Sequence, residues 1–335
     1  MIMDCANHSN DYVSVKGGIT KNVPGSSSDT SQMKYIPHKL STYVLALRPW
    51  SFSASLTPVA LGAALAYKSS GSFNIVVFLV TCLTALSVHA AGNAVNTYYD
   101  YQKGIDSKRS DDRTLVDKIL TPDEIVHLGA LLYILGCFGF IMLVLLSPAK
   151  MEHLALVYFG GLSSSFLYTG GIGLKYIGLG DLLILVTFGP ISVLFSFVSQ
   201  AGYIDLVTLF YAVPLALNTE AVLHCNNTRD MESDSRAGAV TMAVLIGYTG
   251  SHILFAVLLF VPYILFTILS LHVSIWFLLP LITFPKALDL EKQFRSGLLL
   301  TLPKQTAKLN IYLGLFYLIP CIMAAPNTLP GLRVR

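Results

Sequence analysis

Gly92-Asn93-Ala94-Val95-Asn96-Thr97-Tyr98-Tyr99-Asp100, continuing to Gly104 and Asp106, closes one long apolar run. Asn226-Asn227-Thr228-Arg229-Asp230-Met231-Glu232-Ser233-Asp234 closes another. Both stretches hold Asn-x3-Asp followed by a further Asp, and their leading asparagines, Asn96 and Asn226, lie 130 positions apart. Residues i, i+4 and i+7 share a helix face. His89, Asn93, Asn96 and Asp100 therefore form one polar stripe, and Glu220, His224 and Asn227 form another. Asn226, Asp230 and Asp234 extend the second as an i, i+4, i+8 ladder if the helix persists. Carboxylates at a membrane boundary are costly unless something cationic meets them. Two such clusters facing each other point to hard divalent cations bridging a phosphorylated ligand. One polar stripe could merely bond helices together; two matching ones on the same side make that the weaker reading.

The runs these motifs close are membrane-like. Of 335 residues, 54% are hydrophobic and 12% charged, against roughly 25% charged in a soluble domain. A spanning helix needs about 20 mainly apolar residues. Nine stretches qualify, near 50–67, 74–98, 125–146, 152–169, 180–200, 204–224, 248–270, 273–289 and 308–325. The expected fold is an all-α integral membrane protein with nine transmembrane helices. Residues 1–42 are polar, rich in Ser and Gly, and without the apolar core of a signal peptide; they read as a disordered cytosolic tail. Residues 43–325 form the membrane domain and 326–335 a short C-terminal tail. The stretch 235–247 reads as a separate short helix capping the site.

With the N-terminus in the cytosol and nine spans, 18 Lys and Arg fall inside and four outside, namely Lys68, Lys150, Arg333 and Arg335. That asymmetry follows the positive-inside rule and puts both acidic motifs on the cytosolic face. The net charge of +3 carries no nucleic-acid signal, because the basic residues sit in loops beside spans. Cys5, Cys82, Cys137, Cys225 and Cys321 are scattered without a CxxC pair, which argues against a disulfide framework or zinc site. The Asn226-Asn227-Thr228 sequon lies on the cytosolic side and is expected to stay unmodified.

Three loops add candidates. After the second span come Asp106, Lys108, Arg109, Asp111, Asp112, Arg113 and Asp117. Exposed ion pairs account for Lys108, Arg109 and Asp117. Asp106 and Arg113 are the functional choices, since Gly104 permits a turn aiming Asp106 at the cluster. The loop Tyr168 to Gly180 holds five glycines and one cation, Lys175. It reads as pliable, with Tyr168 and Lys175 contacting diphosphate or, more plainly, as a connector with a topology-setting lysine. It lacks the GK[ST] ending of a P-loop. Arg48-Pro49-Trp50 opens the first span, as substrate contact or interface anchor. His89 and His224 read as interhelical hydrogen-bond partners.

At these residues the chain resembles the UbiA superfamily of intramembrane prenyltransferases, over about 43–325. Asn-Thr-Tyr-Tyr-Asp-x3-Gly-x-Asp (96–106), Tyr-Thr-Gly-Gly (168–171) and Gly-Leu-Gly-Asp (178–181) are similar to its menaquinone branch. The second motif keeps the superfamily's Asn-x3-Asp-x3-Asp spacing. The first has five residues between Asp100 and Asp106, which secures Asp106 less firmly as a ligand than Asp100. The resemblance implies nine helices around a cavity and Mg2+-dependent transfer of a polyprenyl group, geranylgeranyl, from its diphosphate to a reduced naphthoquinone such as menadiol. The product would be menaquinone-4 (vitamin K2).

It further implies two Mg2+ ions, one on Asn96, Asp100 and Asp106 and one on Asn226, Asp230 and Asp234. Lys175, Arg113 and Arg229 would balance the remaining charge, with Tyr168, Asn227 and Arg48 binding substrate. It also implies endoplasmic reticulum and Golgi membranes with a mitochondrial pool, and HMG-CoA reductase as a partner. Competing readings are prenylation of 4-hydroxybenzoate or another aromatic by the same fold, a cation or lipid transporter, and a prenyl-lipid-sensing partner of a sterol-pathway enzyme. Acids gathered at one membrane face, rather than strung across it, disfavour the transporter.

Overall fold

The computed structural model describes residues 35–106, 112–325 and 328–333. It is all-α: α1 (Tyr35–Ala46), α2 (Ser53–Ser70), α3 (Ile75–Gln102), α4 (Pro122–Leu146), α5 (Met151–Leu167), α6 (Gly180–Val186), α7 (Ser192–Ala201), α8 (Thr208–Arg236), α9 (Met242–His272), α10 (Phe284–Arg295) and α11 (Leu302–Met323). Each expected span falls on helical structure, α6 and α7 together making one span and a 3-10 turn at Ile275–Thr283 leading into α10. Among the described residues, α3, α4, Gly180–Ala201, α9 and α11 are long and apolar enough to cross a membrane. Their outer faces are apolar: Ile134, Leu145 and Leu271 are 65%, 72% and 78% exposed, a surface suited to lipid rather than water.

Local chemistry sets the helix ends. α4 starts in a capping box, Thr121 accepting from the Glu124 amide while Glu124 reaches back to the Thr121 amide. Asn74 caps α3 by accepting from Val76 and Val77. Between α6 and α7 the chain makes a π turn, Thr187–Ile191. Pro190, which has no N–H to give, sits within it, and such turns commonly mark functional sites. Close packing there depends on small residues: a Cβ on Gly189 would stand 2.2 Å from the Ala216 Cβ of α8.

α8 is the most polar of the long helices, and more than half of its residues are buried. It buries Asn218, Thr219, Glu220, His224, Asn227, Thr228 and Asp234. It packs against α9, α11, α6 and the π turn, so its polar groups meet protein rather than lipid, where they would be costly.

Three expectations change. Residues 235–247 are helical only in part: α8 runs unbroken to Arg236, a turn follows, and a short helix from Met242 ends at the Gly247 kink (φ 68°) that joins it to the rest of α9. The second motif is therefore helical throughout. The expected tail 1–42 lies mostly outside the described residues, and α1 takes up its last positions from Tyr35. The C-terminal end is packed: Leu329 and Leu332 join the main apolar core, and Tyr211 donates to the Pro330 carbonyl at 3.0 Å.

Candidate active site

α3 and α8 bring the two motifs to one cavity of about 150 Å3. Asn96, Asp100 and Asp106 line it from one side, and Asn226, Asn227, Arg229, Asp230 and Asp234 from the other. The helical i, i+4 repeat puts each ladder on one face, so the acids project inward together. Arg48, Trp50, His89, Asp112, Tyr168, Lys175 and Phe188 complete much of the wall, with Ala54, Ile184, Val222 and Leu223 supplying apolar surface.

Asp100 is buried and fully engaged. Lys175 Nζ donates to its Oδ2 at 2.7 Å, and the Tyr176 hydroxyl donates to its Oδ1 at 2.9 Å. Burial alone would lower the Lys175 ammonium; Asp100 and then Asp234 outweigh that and raise it. Gly104, at φ +71°, turns the chain after α3 so that the amides of Ile105 and Asp106 donate to the Asp100 carbonyl. The Asp106 side chain thereby reaches the cavity. Burial, followed by the Asp100 carboxylate, pushes Asp106 up to about 7. Across the cavity Arg229 grips Asp230 through Nε and Nη2, at 2.8 and 2.7 Å, and donates to Asn226 Oδ1 at 2.9 Å.

The Asp234 carboxylate oxygens and Asn96 Oδ1 are buried without a hydrogen-bond partner. Orphaned oxygen acceptors on both sides of an acidic cavity are a donor set that fits a hard cation such as Mg2+, which takes oxygen ligands.

Residues 55–297 match the UbiA prenyltransferase family. The chain belongs to the UbiA prenyltransferase family. It is 62% identical over 298 residues to the UbiA prenyltransferase domain-containing protein 1 homolog of Drosophila melanogaster, covering 88% of this chain and 83% of that protein. It is 60% identical over 292 residues to UbiA prenyltransferase domain-containing protein 1 of Homo sapiens, covering 87% and 86%. Among solved structures, the fold resembles an apo UbiA homolog from Aeropyrum pernix K1, with TM-score 0.63 and 16% identity over 82% of this chain and 98% of that one. It also resembles a UbiA homolog from Archaeoglobus fulgidus bound to GPP and Mg2+, with TM-score 0.59 and 16% identity over 83% and 99%. This UbiA protein is thus an integral membrane prenyltransferase.

Within this UbiA fold some candidates sit elsewhere than sequence reasoning expects. Arg113 does not line the cavity: its side chain is half exposed and pairs with Asp117 at 2.7 Å, an i, i+4 contact on the outer surface. Its neighbour Asp112 points inward instead, accepting from Arg48 Nη2 at 2.5 Å and from Thr97 Oγ1. Burial opposes the Asp112 charge, but the Arg48 guanidinium holds the carboxyl well below its usual range. A solitary arginine heading an apolar helix needs a counter-ion, and that need was the available signal for Asp112. Lys108, Arg109 and Asp111 lie outside the described residues.

The glycine-rich loop is a packed, hydrogen-bonded turn. Lys175 and Tyr176 are buried in a 3-10 turn, the Lys175 amide donates to the Tyr168 carbonyl, and the Val240 amide donates to the Tyr176 carbonyl. Positive φ at Gly171, Gly173 and Gly178 lets the chain fold that tightly. Both histidines bond between helices: His89 to Ser51 and Ser55, His224 to Asp181.

Proposed function

We propose that this chain transfers a polyprenyl group, geranylgeranyl, from its diphosphate to the reduced naphthoquinone menadiol, forming menaquinone-4 (vitamin K2). The observation that carries the reading is the pair of Asn/Asp ladders lining one cavity together with Arg48, Lys175 and Arg229. Acids for cations and cations for phosphate in one half-apolar enclosure suit a prenyl diphosphate. The Archaeoglobus fulgidus homolog's complex with GPP and Mg2+ supports the same class of ligand. The likeness of the first motif and of Tyr168-Thr169-Gly170-Gly171 to the menaquinone branch supports the naphthoquinol acceptor.

Asn96, Asp100 and Asp106 would hold one Mg2+, and Asn226, Asp230 and Asp234 a second. When bound, Mg2+ neutralises diphosphate charge and assists its departure. The chain's own cations act beside it. Diphosphate competes with Asp100 for Lys175 and with Asp112 for Arg48, so each cation can meet the leaving group without crossing the cavity. As the C–O bond breaks, positive charge develops on the allylic carbon, and the rings of Trp50, Tyr168 and Phe188 offer electron-rich faces to it. An electron-rich naphthoquinol carbon attacks, and the ring proton passes to the departing diphosphate or to water, which restores aromaticity. Ala54, Ile184, Val222 and Leu223 keep the wall apolar, which limits capture of the cation by water. A second, apolar cavity shares His89, Ser165, Ile184 and Phe188 with the first and continues past Val88, Leu162, Ile191 and Phe195; the polyprenyl chain is assigned there.

The Lys/Arg asymmetry supports a cytosolic opening. Placement in endoplasmic reticulum and Golgi with a mitochondrial pool, and partnership with HMG-CoA reductase, rest on the family resemblance. The deciding assay incubates purified protein with geranylgeranyl diphosphate, menadiol and Mg2+, with 4-hydroxybenzoate as competitor. Menaquinone-4 should form and 4-hydroxybenzoate should go unprenylated; the opposite preference moves the assignment to a ubiquinone-type acceptor.

A further inference from the structure

Behind the cavity wall, three ionisable side chains meet that the proposed reaction does not use. Asp181 is the second residue of α6. Glu220 and His224 stand one turn apart on α8, so both face α6. One possible ligand atom from each lies within 4.8 Å of the others, and the residues are 7%, 3% and 0% exposed. The group is oriented: His224 Nδ1 is 3.0 Å from Asp181 Oδ2, and Asn227 Nδ2 donates to Asp181 Oδ1 at 3.1 Å. It is also incomplete. Both Glu220 carboxylate oxygens and His224 Nε2 are buried with no partner.

Two carboxylates held out of water and against each other demand compensation. A proton shared by Asp181 and Glu220 would satisfy one of the orphaned atoms and leave the rest. A cation can meet both carboxylates and the imidazole together. We propose that Asp181, Glu220 and His224 form a buried site for one divalent transition-metal ion of the Mn2+ and Zn2+ class, distinct from the Asn/Asp ladders of the cavity. The imidazole sets it apart from those ladders, which offer oxygen alone: nitrogen with carboxylate suits Mn2+, Fe2+ or Zn2+ better than Mg2+. Ligand bonds of about 2.0–2.2 Å place ligand atoms roughly 3–4 Å apart, a spacing that His224 Nδ1 and Asp181 Oδ2 already have at 3.0 Å. The ion clamps α6 to α8 and, through Asp181, fixes Asn227, which lines the cavity. The site stands whether or not the prenyl-transfer acceptor is correctly assigned.

The test uses the tag-free full chain in detergent, stripped with chelator, then incubated with Mn2+ or Zn2+ in excess Mg2+, desalted and analysed for metal. The wild type should keep one equivalent, as should the Asp100→Asn/Asp230→Asn double variant. Glu220→Gln and His224→Gln should each retain about tenfold less or lower still, the scale on which ligand-shell changes act. Equal retention in Glu220→Gln overturns the site. So does a wild type that keeps no metal, which would leave a proton shared by Asp181 and Glu220. X-ray absorption on the Zn2+-loaded wild type provides a check free of any folding defect in the variants: an imidazole in the shell supports the site, and an oxygen-only shell overturns it.

Discussion

Lys175 Nζ lies 2.7 Å from Asp100 Oδ2, in a buried ion pair that joins the glycine-rich loop to the first acidic motif across 75 positions of sequence. A cation from the chain itself occupies the carboxylate assigned to Mg2+. On the proposed assignment, ion and diphosphate binding would exchange partners: Asp100 would take the metal and Lys175 the phosphate.

That exchange separates the acidic residues by their effect on folding. Asp100→Ala and Asp230→Ala should each leave under about 1% of wild-type turnover, as expected for a two-metal site. Asp100→Ala should also destabilise the metal-free protein by about 3–5 kcal/mol, because it leaves a buried lysine unpaired. Asp234→Asn removes a charge with no hydrogen-bond donor and should raise the melting temperature while abolishing activity. Thermal unfolding beside the prenylation assay checks both; retained turnover in Asp100→Ala or Asp230→Ala would sink the ligand assignment.

Lys175→Met keeps most of the side-chain stem and removes the charge. Loss of one charged contact to a partly desolvated phosphate should weaken prenyl-diphosphate binding by about 1.5–3 kcal/mol, with menadiol little affected. The apparent Michaelis constants for the two substrates measure this. Equal changes in both would make Lys175 a positioning residue for Asp100 only.

Asp106 makes stability depend on pH. Its folded value, about 7, lies above the ordinary 3.8, so the folded state holds the proton more tightly. The stabilisation is complete below about pH 4 and is lost as pH rises through about 7. Asp112, held low, changes only below the ordinary carboxylate range, and Lys175, held high, only above the ordinary lysine value; neither disturbs this window. Metal-free protein should therefore melt at lower temperature at pH 8 than at pH 5, and Asp106→Asn should remove part of the difference. Identical slopes in both proteins would contradict the raised value.

Gly189→Ala drives a Cβ into Ala216 of α8, at 2.2 Å from its Cβ and 2.9 Å from its Cα. Overpacking of this kind costs about 1–3 kcal/mol. The melting temperature should fall, and Ala216→Gly in the same protein should restore part of it, since the close approach to the Ala216 Cα remains. If the double variant is no better than the single one, the contact is not the cause.

If the cavity opens to the cytosol, as proposed, tags after Ser110 and within 231–236 should report the cytosol and a tag near Lys150 the lumen. Accessibility labelling in intact and permeabilised cells decides it. Opposite sides for the first two positions would contradict the shared cavity.

The sequence by itself determined what is periodic and local. Apolar runs marked where helices form, five of them long and apolar enough to cross a membrane among the described residues, and the i, i+4 spacing of Asn96 with Asp100, and of Asn226, Asp230 and Asp234, placed each ladder on one face. Backbone geometry enforces those relations wherever the helix forms. Only the tertiary structure decided which cation meets which acid. Arg48 finds Asp112 across 64 positions, Lys175 finds Asp100 across 75, and Arg113 turns outward to Asp117. Asp112 and Arg113 are adjacent in a charged loop with no helical period to fix their direction, so the choice falls to packing around Thr97 and Arg48. The meeting of Asp181 with Glu220 and His224 is likewise tertiary: it requires α6 to lie against α8, and no pattern within either helix specifies that approach.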